Sequence, residues 1–240
     1  FFLFLINKSV KKNNMKLLFF YGWLFGFGFF LTNLYWISIS LTFDQNFKSL
    51  IPLTIILIPS FLGMFFGLIS YLFIILKPKD FVSSLLVFSL IFGIVDFIRG
   101  SILTGFPWNL IAYSFTNQLK LLSITSIIGT YGFNLFCISL FTCPAILILG
   151  KTKKEIGVFV SFFVILISFY TYGLLKKQSF YKTEIQSYEY KIRVIGSDIT
   201  IDRFYSEIDR FAIIKDLIRL SNPKDNQKTI FIWPEGILSD

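Results

Sequence analysis

Histidine is absent from the 240-residue chain. Because histidine is the commonest general base and metal ligand, its absence excludes Ser-His-Asp catalysis in this stretch and argues against a zinc site. Cysteine is scarce, since only Cys137 and Cys143 are present, and both lie in an apolar run without the pattern of a secreted disulfide scaffold. We predict that they are small buried hydrophobic residues, and that the protein uses no metal and no other cofactor.

Charge is also scarce, and its distribution divides the chain in two. Only 15% of the residues are charged, whereas 55% are hydrophobic and 20% are aromatic, a composition typical of a membrane protein. Ten of the fourteen acids lie in the last 65 residues. The four acids before residue 176 are Asp44, Asp80, Asp96 and Glu155. The composition therefore predicts a membrane domain over residues 1–175, followed by the start of a water-facing part.

Long apolar runs fill the first part of the chain. A membrane-spanning helix needs roughly 20 apolar residues, and five segments meet this requirement: 17–43, 50–76, 81–98, 119–149 and 156–175. The apolar start "FFLFLI" precedes the first Met and has no small-residue cleavage site after it, so it is not a signal peptide. We interpret it as the tail of an earlier span, and we expect the chain to be a fragment.

Basic residues alternate between the connections that join these spans. The first, third and fifth connections are rich in lysine, whereas the second and fourth have only Lys48, and Arg99 and Lys120 at their edges. The lysines of the rich connections are Lys8, Lys11, Lys12, Lys16, Lys77, Lys79, Lys151, Lys153 and Lys154. Short cytoplasmic loops carry an excess of lysine and arginine, so the three lysine-rich connections are predicted in the cytoplasm. Everything after residue 175 is then predicted on the opposite side of the membrane, which is the periplasm in a bacterium.

The last 65 residues show a strand, a helix and a second strand. Residues 176–189 are polar enough for a linker, and the alternating segment 190–196 predicts a strand. Residues 204–220 carry apolar side chains at helical spacing, and 229–233 reads as a buried parallel strand. One βαβ unit is too small to be a stable domain, so we expect the rest of the domain beyond Asp240.

Glu235 is the candidate catalytic residue. It follows the second predicted strand, at the edge where ligands and catalytic groups gather in open α/β folds. Pro234 ends the strand and Gly236 permits a tight turn, so the carboxylate is placed as a general base would be. The alternative is a solvated loop glutamate without a chemical role.

The fourth connection, "RGSILTGFPWNLIAYS" from Arg99 to Ser114, is longer than a simple turn. Phe106 and Trp108 in it are interpreted either as an interfacial aromatic belt or as the wall of a lipid-binding cleft. Asp96 and Arg99 stand three residues apart near the end of a span, where ionisable groups pair with each other or serve a function.

Several of these stretches together resemble a known family. "GFGFFLTNLYWIS", "FIRGSILTGFPWNLIAYS", "IGTYGFN" and "IWPEG" occur in this order along nearly the whole chain. The chain thereby resembles the apolipoprotein N-acyltransferase family of membrane enzymes, which carry a periplasmic nitrilase-like (carbon-nitrogen hydrolase) domain. The resemblance implies a multi-span helical domain followed by the first βαβ unit of a nitrilase-like α-β-β-α sandwich, with residues 190–240 forming its start.

The resemblance also implies a Glu-Lys-Cys catalytic triad. Glu235 matches the glutamate, whereas the Lys and the nucleophilic Cys are expected beyond Asp240, so the chain alone is expected to be inactive. The family's Gln-Gly-Asn-Ile type of loop and following Trp are replaced here by "GSDI" and Phe204-Tyr205. Tyr205 keeps an aromatic ring at this position, and we include it with Phe106 and Trp108 as a candidate substrate contact.

The implied reaction moves an acyl chain from a phospholipid, through a Cys thioester, to the amine of the N-terminal diacylglyceryl-cysteine of a lipoprotein. The expected partners are therefore phospholipid and apolipoproteins at the inner membrane, and nucleic acid is not among them. Three alternatives stay open: a transporter or channel, another membrane-anchored nitrilase relative such as an amidase, and an inactive remnant. The sequence beyond Asp240 would discriminate between them.

Overall fold

The computed structural model describes residues 1–9, 15–76, 78–102, 105–150, 152–183, 190–196, 210–224 and 228–234. The chain forms two compact units. The first comprises Phe1–Thr42 and Asn46–Lys182, and the second comprises Phe43–Gln45 and Thr183–Asp240.

The first unit is helical. Its α-helices are α1 (Phe2–Ser9), α2 (Met15–Leu34), α3 (Ile51–Leu76), α4 (Phe81–Ser101), α5 (Leu119–Leu122), α6 (Thr125–Thr142), α7 (Pro144–Leu149) and α8 (Lys153–Lys182). Short 3-10 helices cover Tyr35–Thr42, Gln45–Leu50 and Ile111–Phe115. Within the described residues, five helical stretches are long and apolar enough to cross a membrane, which confirms that the five predicted segments are helical. They are Met15–Thr42, Gln45–Leu76, Phe81–Ser101, Thr125–Leu149 and Lys153–Lys182.

Two spans differ in detail from the prediction. The fourth is not one continuous helix, because Gly129 interrupts α6 with a φ of 70°, a left-handed conformation that glycine adopts without steric cost. The fifth, α8, continues to Lys182 and therefore covers the first half of the predicted linker. Lys176 and Lys177 are good helix formers, and their ammonium groups lie 5.6 and 5.7 Å from the rings of Tyr172 and Tyr181.

The start of α4 is fixed by an N-cap. The Asp80 carboxylate accepts hydrogen bonds from the Ser83 backbone N–H (3.0 Å) and hydroxyl (2.6 Å), and it lies 3.2 Å from Lys154 Nζ at the start of α8. The Ser83 bonds, followed by Lys154, lower the pKa of Asp80 below its ordinary value. The carboxylate therefore remains charged at neutral pH and satisfies the first turn of α4.

Helices α2 and α3 pack closely through glycines. A Cβ atom added to Gly26 would lie 2.7 Å from Phe66 Cβ and 2.9 Å from Gly63 Cα, and both distances are too short for real contacts. Small residues allow such close backbone approach, which favours helix association inside a membrane. Gly28, on the same helix, has no neighbouring atom within 4 Å of its added Cβ.

We therefore predict opposite effects for two alanine substitutions on α2. Gly26→Ala is expected to lower the free energy of unfolding by about 1–3 kcal/mol, because the added methyl group forces α2 and α3 apart. Gly28→Ala is expected to leave the stability unchanged or to raise it by up to ~1 kcal/mol through helix propensity. Unfolding of both variants in detergent micelles checks this, and equal effects would show that the close α2–α3 approach does not determine stability.

The second unit contains a strand, a helix and a strand in the predicted order. Strand β1 (Lys191–Val194) pairs in parallel with β2 (Thr229–Ile232), in the register Lys191↔Thr229 to Val194↔Ile232. Helix α9 (Arg210–Ser221) packs on one face of this ladder. The small core consists of Ile195, Ile213 and Leu217, with Phe231 and Trp233 packed against it.

The other face of the ladder is open in the described residues, whereas the sequence predicts that the second strand is buried in the complete domain. Ile230 and Ile232 of β2 are about half exposed, and Ile192 and Val194 of β1 are more exposed still. These four side chains form an apolar face on the side away from α9, because successive residues of a strand point to opposite faces. Within the described residues no second layer covers this face.

Candidate functional site

The candidate residues fall into two groups. Asp96, Arg99, Phe106 and Trp108 lie in the described part of the first unit. Tyr205 and Glu235 lie outside the described residues. The described part of the chain before Glu235 ends at Pro234, two residues after strand β2.

Asp96 is the centre of a buried polar network at one end of the helical unit. It is 3% exposed, and Arg99, one turn later on α4, is 2% exposed. Arg99 Nη2 donates to Asp96 Oδ1 at 2.9 Å, and Asn134 Nδ2 of α6 donates to Asp96 Oδ2 at 2.9 Å. Both carboxylate oxygens thus have a partner, which is what a charge removed from water requires.

The same network fastens the long connection after α4. Arg99 Nη1 donates to the backbone oxygens of Phe106 and Trp108, both at 2.9 Å. At the other end of the connection, Asn134 Oδ1 accepts a hydrogen bond from the Ala112 backbone N–H at 3.0 Å. The segment 105–112 is therefore held against α4 by Arg99 and against α6 by Asn134, and Asp96 orients both side chains.

Aromatic rings cover this end of the unit. Trp108 stacks on Trp36 with ring centroids 5.5 Å apart and an interplanar angle of 14°, and Phe106 lies 5.5 Å from Trp108. The Arg99 guanidinium lies 5.4 Å from the centre of the Phe30 ring. Trp108 is nevertheless 47% exposed, as a residue at a membrane interface or at the mouth of a cleft would be.

Tyr113 adds a further bond within the connection. Its hydroxyl donates to the Pro107 backbone oxygen at 3.2 Å. Burial raises the pKa of Tyr113 above its ordinary value, with a smaller contribution from Tyr131, while Arg99 acts in the opposite direction. The phenol is therefore protonated at neutral pH and serves as a donor.

A cavity of about 480 Å³ lies beside this network. Its size is within the ~300–1,000 Å³ range of small-molecule sites. Its lining is apolar apart from one guanidinium group, and Phe106 belongs to it, whereas Trp108 is outside the described lining. The lining residues are Ile37, Leu57, Ile58, Phe61, Leu62, Phe65, Arg99, Ile102, Gly105 and Phe106.

Sequence reasoning missed two residues of this site. Asn134 lies in the stretch "IGTYGFN" and Trp36 in "GFGFFLTNLYWIS", and the sequence analysis assigns neither residue a role in the site. The signal for Asn134 was present, since an amide in the middle of an apolar span must find hydrogen-bond partners or cost several kcal/mol. Trp36 offered no comparable signal, because its stacking on Trp108 depends on how the two connections fold.

Comparison with known proteins assigns the chain to a family. Residues 1–143 match the model of the apolipoprotein N-acyltransferase N-terminal domain. Proteins named apolipoprotein N-acyltransferase are similar over most of the chain: that of Rhodopseudomonas palustris is 29% identical over 227 residues, which cover 90% of this chain and 41% of the relative. Those of Brucella melitensis and Rhizobium meliloti are 27% and 28% identical and cover 89% of this chain.

The chain spans about 40% of the length of these relatives, 40% in the R. meliloti protein and 41% in the other two. The family model covers more than half of the chain, and its matched region includes α1 to α6, the buried network and the cavity. The chain therefore belongs to the apolipoprotein N-acyltransferase family.

Proposed function

We propose that the protein transfers an acyl chain from a phospholipid to the α-amino group of the N-terminal diacylglyceryl-cysteine of a lipoprotein, the last step of lipoprotein maturation. The observation that carries the proposal is the family match over residues 1–143, extended by the alignment of 90% of the chain with a relative of that name. The five apolar helical stretches support it, since both substrates are anchored in a bilayer.

The reaction proceeds in two steps with one covalent intermediate. A Cys thiolate, proposed beyond Asp240, attacks the phospholipid ester carbonyl; the ester bond breaks, lysophospholipid leaves and a thioester remains. The lipoprotein amine then attacks the thioester, which forms the amide and returns the thiol. In the first step Glu235 accepts the thiol proton and passes it to the leaving oxygen of the lysophospholipid; in the second it accepts the amine proton and passes it to the leaving Cys sulfur, while a Lys proposed beyond Asp240 stabilises the oxyanion.

The second unit supports this place for Glu235. Strands β1 and β2 are parallel, so their carboxyl ends meet at one edge, and Glu235 comes three residues after the end of β2. Tyr205 lies in the connection that follows β1, which begins at the same edge. The exposed apolar face of the ladder is the face that a second sheet would cover in a nitrilase-like α-β-β-α sandwich.

We further propose that the protein lies in the bacterial inner membrane with its C-terminal part in the periplasm. The alternation of lysine-rich connections supports this orientation. A catalytic unit at the outer surface would meet both lipids without extracting their chains into water, which costs ~0.8 kcal/mol per CH₂. Phe106 and Trp108 would line the approach to a lipid-binding cleft at the periplasmic end of the helices.

The alternatives are another nitrilase-type amidase or acyltransferase, and an inactive fragment. The 240-residue chain by itself is proposed to be inactive, because the Lys and Cys of the triad are proposed to lie beyond Asp240. A transporter is less well supported, since Asp96 and Arg99 bond to each other, to Asn134 and to the backbone of the connection.

A transfer assay on the full-length gene product tests the proposal. The protein is incubated with a phospholipid labelled in its acyl chain and with a diacylglyceryl-cysteine peptide. We expect label in an amide at the peptide N-terminus and an equal amount of lysophospholipid. Release of the label as free fatty acid, at a rate that does not depend on the peptide, would identify a hydrolase and contradict the proposal.

A further inference from the structure

Lysines and tyrosines cluster where the apolar run of α8 ends. Lys176 and Lys177 directly follow Leu175, the last residue of that run, and both are exposed. Lys120 of α5 lies at the same end of α8, because its Nζ donates to the Tyr170 hydroxyl at 2.9 Å and lies 4.9 Å from the centre of that ring. We call this cluster the lysine–tyrosine collar, and its members are Lys120, Tyr170, Tyr172, Lys176, Lys177 and Tyr181.

The backbone of α5 is packed directly on α8 at the collar. A Cβ atom added to the buried Gly173 would overlap the backbone oxygen of Lys120. On the next turn, Ser126 near the start of α6 shares a hydrogen bond of 3.4 Å with the Tyr172 hydroxyl. The position of Lys120 beside α8 is therefore fixed by backbone packing as well as by its side chain.

The three ammonium groups of the collar keep most of their hydrogen-bond donors. Among the residues that the structure describes, none of the three forms an ion pair. Lys176 and Lys177 place Nζ 5.6 and 5.7 Å from the ring centres of Tyr172 and Tyr181. A ring face covers one side of an ammonium group, and an ammonium group has three N–H donors. Each lysine can thus bind an anion without giving up its aromatic contact.

Acidic residues are almost absent from the sequence around the collar. Between Gly105 and Thr183 the only acid is Glu155, and the next acid along the chain is Glu184. Glu155 lies in the first turn of α8, about 32 Å along the helix from Lys176 at 1.5 Å per residue. Exposed charges farther apart than a Debye length of about 8 Å are largely screened, so Glu155 does not neutralise the collar.

We propose that the lysine–tyrosine collar binds the headgroup of an anionic phospholipid, with Lys120, Lys176 and Lys177 donating to its phosphate oxygens. The lipid is a bound neighbour of α8 and not the acyl donor, so the site goes beyond the proposed function and does not depend on it. Its assignment to the outer leaflet rests on the proposed orientation of the chain.

The level of the collar in the membrane favours a lipid over a soluble anion. Tyrosines and lysines at the end of an apolar run lie among the headgroups, where lipid phosphates are the concentrated anions. A zwitterionic headgroup brings its own cation, for which the collar has no carboxylate. An anionic headgroup such as that of phosphatidylglycerol brings a phosphate and neutral hydroxyl groups, and it therefore matches the charge of the collar.

Photocrosslinking beside the collar tests the proposal. Phe180, which is 76% exposed on α8 between Lys177 and Tyr181, is replaced by p-benzoylphenylalanine in the full-length protein. The protein is placed in vesicles of dioleoyl phosphatidylcholine that contain increasing fractions of alkyne-tagged dioleoyl phosphatidylglycerol. The fraction that gives half-maximal crosslinking is expected to rise about 5-fold in Lys176→Gln and about 25-fold when Lys177→Gln is added.

Two sets of control variants separate this site from general charge effects. Lys153→Gln removes one exposed lysine from the other end of α8 and should leave the half-maximal fraction unchanged. Lys176→Arg with Lys177→Arg keeps the charge and should restore crosslinking. An equal shift in Lys153→Gln and Lys176→Gln would overturn the site, as would unchanged crosslinking when both Lys176 and Lys177 are replaced by glutamine.

Two further probes test the identity of the ligand. Tagged dioleoyl phosphatidylcholine should crosslink weakly, and crosslinking as strong as that of phosphatidylglycerol would contradict a site for anionic lipid. A tagged hexa-aspartate peptide should not compete with the lipid. Crosslinking of this peptide in place of phosphatidylglycerol would assign the collar to an acidic protein segment and overturn the lipid. Acyl transfer is not measured in any of these experiments, so their outcome leaves the proposed function untouched.

Discussion

Replacing Asp96 with alanine is expected to lower the free energy of unfolding of the membrane unit by about 3–5 kcal/mol, the cost of removing one partner of a buried ion pair. The substitution leaves the Arg99 charge buried at 2% exposure without its 2.9 Å partner, and it frees Asn134 Nδ2. The effect is large because the surroundings cannot supply water to either group. Unfolding in mixed detergent micelles measures it.

Lys154→Ala is the control for this prediction. Lys154 forms an ion pair with Asp80 at 3.2 Å in the same unit, but the lysine side chain is 63% exposed. Exposed pairs contribute about 0–1 kcal/mol, so this substitution should change the stability little. Similar effects of Asp96→Ala and Lys154→Ala would show that the buried network does not hold the unit together.

The membrane architecture was predictable because its signals are local. The length of an apolar run determines whether it spans a bilayer, and lysines between the runs predict the orientation. The interruption at Gly129 and the extension of α8 to Lys182 were harder to predict from the sequence. Each depends on how a single backbone position or a short polar stretch responds to its neighbours.

The site was predictable only in part, because it depends on contacts between distant segments. The three-residue spacing of Asp96 and Arg99 indicated their pairing, which is a contact within one helix turn. The bonds from Asn134 to Asp96 and to Ala112 join residues 38 and 22 positions apart, and no spacing rule predicts them. The open apolar face of β1 and β2 likewise depends on what else covers the sheet, so the sequence alone suggested two buried faces.

Glu235→Gln is expected to lower the rate of acyl transfer by the full-length protein by about 10²–10⁴-fold, the usual contribution of a positioned general base. Glutamine keeps the size of the side chain and its place after β2, but it cannot accept the thiol proton, so the nucleophile stays in its weakly reactive form. In the proposed reaction both steps need this proton transfer, and the loss should therefore appear in the turnover number more than in the affinity for lipid. Asp216→Asn, a carboxylate of the exposed α9 ion pair with Arg219, is the control.

The most direct test of the account is the covalent acyl-enzyme. Intact-mass measurement of the full-length protein after mixing with phospholipid, without a lipoprotein acceptor, should show one added acyl group that hydroxylamine or a diacylglyceryl-cysteine peptide removes. The account predicts this adduct in the unaltered protein and in Asp216→Asn, and its formation at least about 10²-fold more slowly in Glu235→Gln. Transfer to the peptide without any adduct, or adduct formation at the same rate in Glu235→Gln, would contradict it.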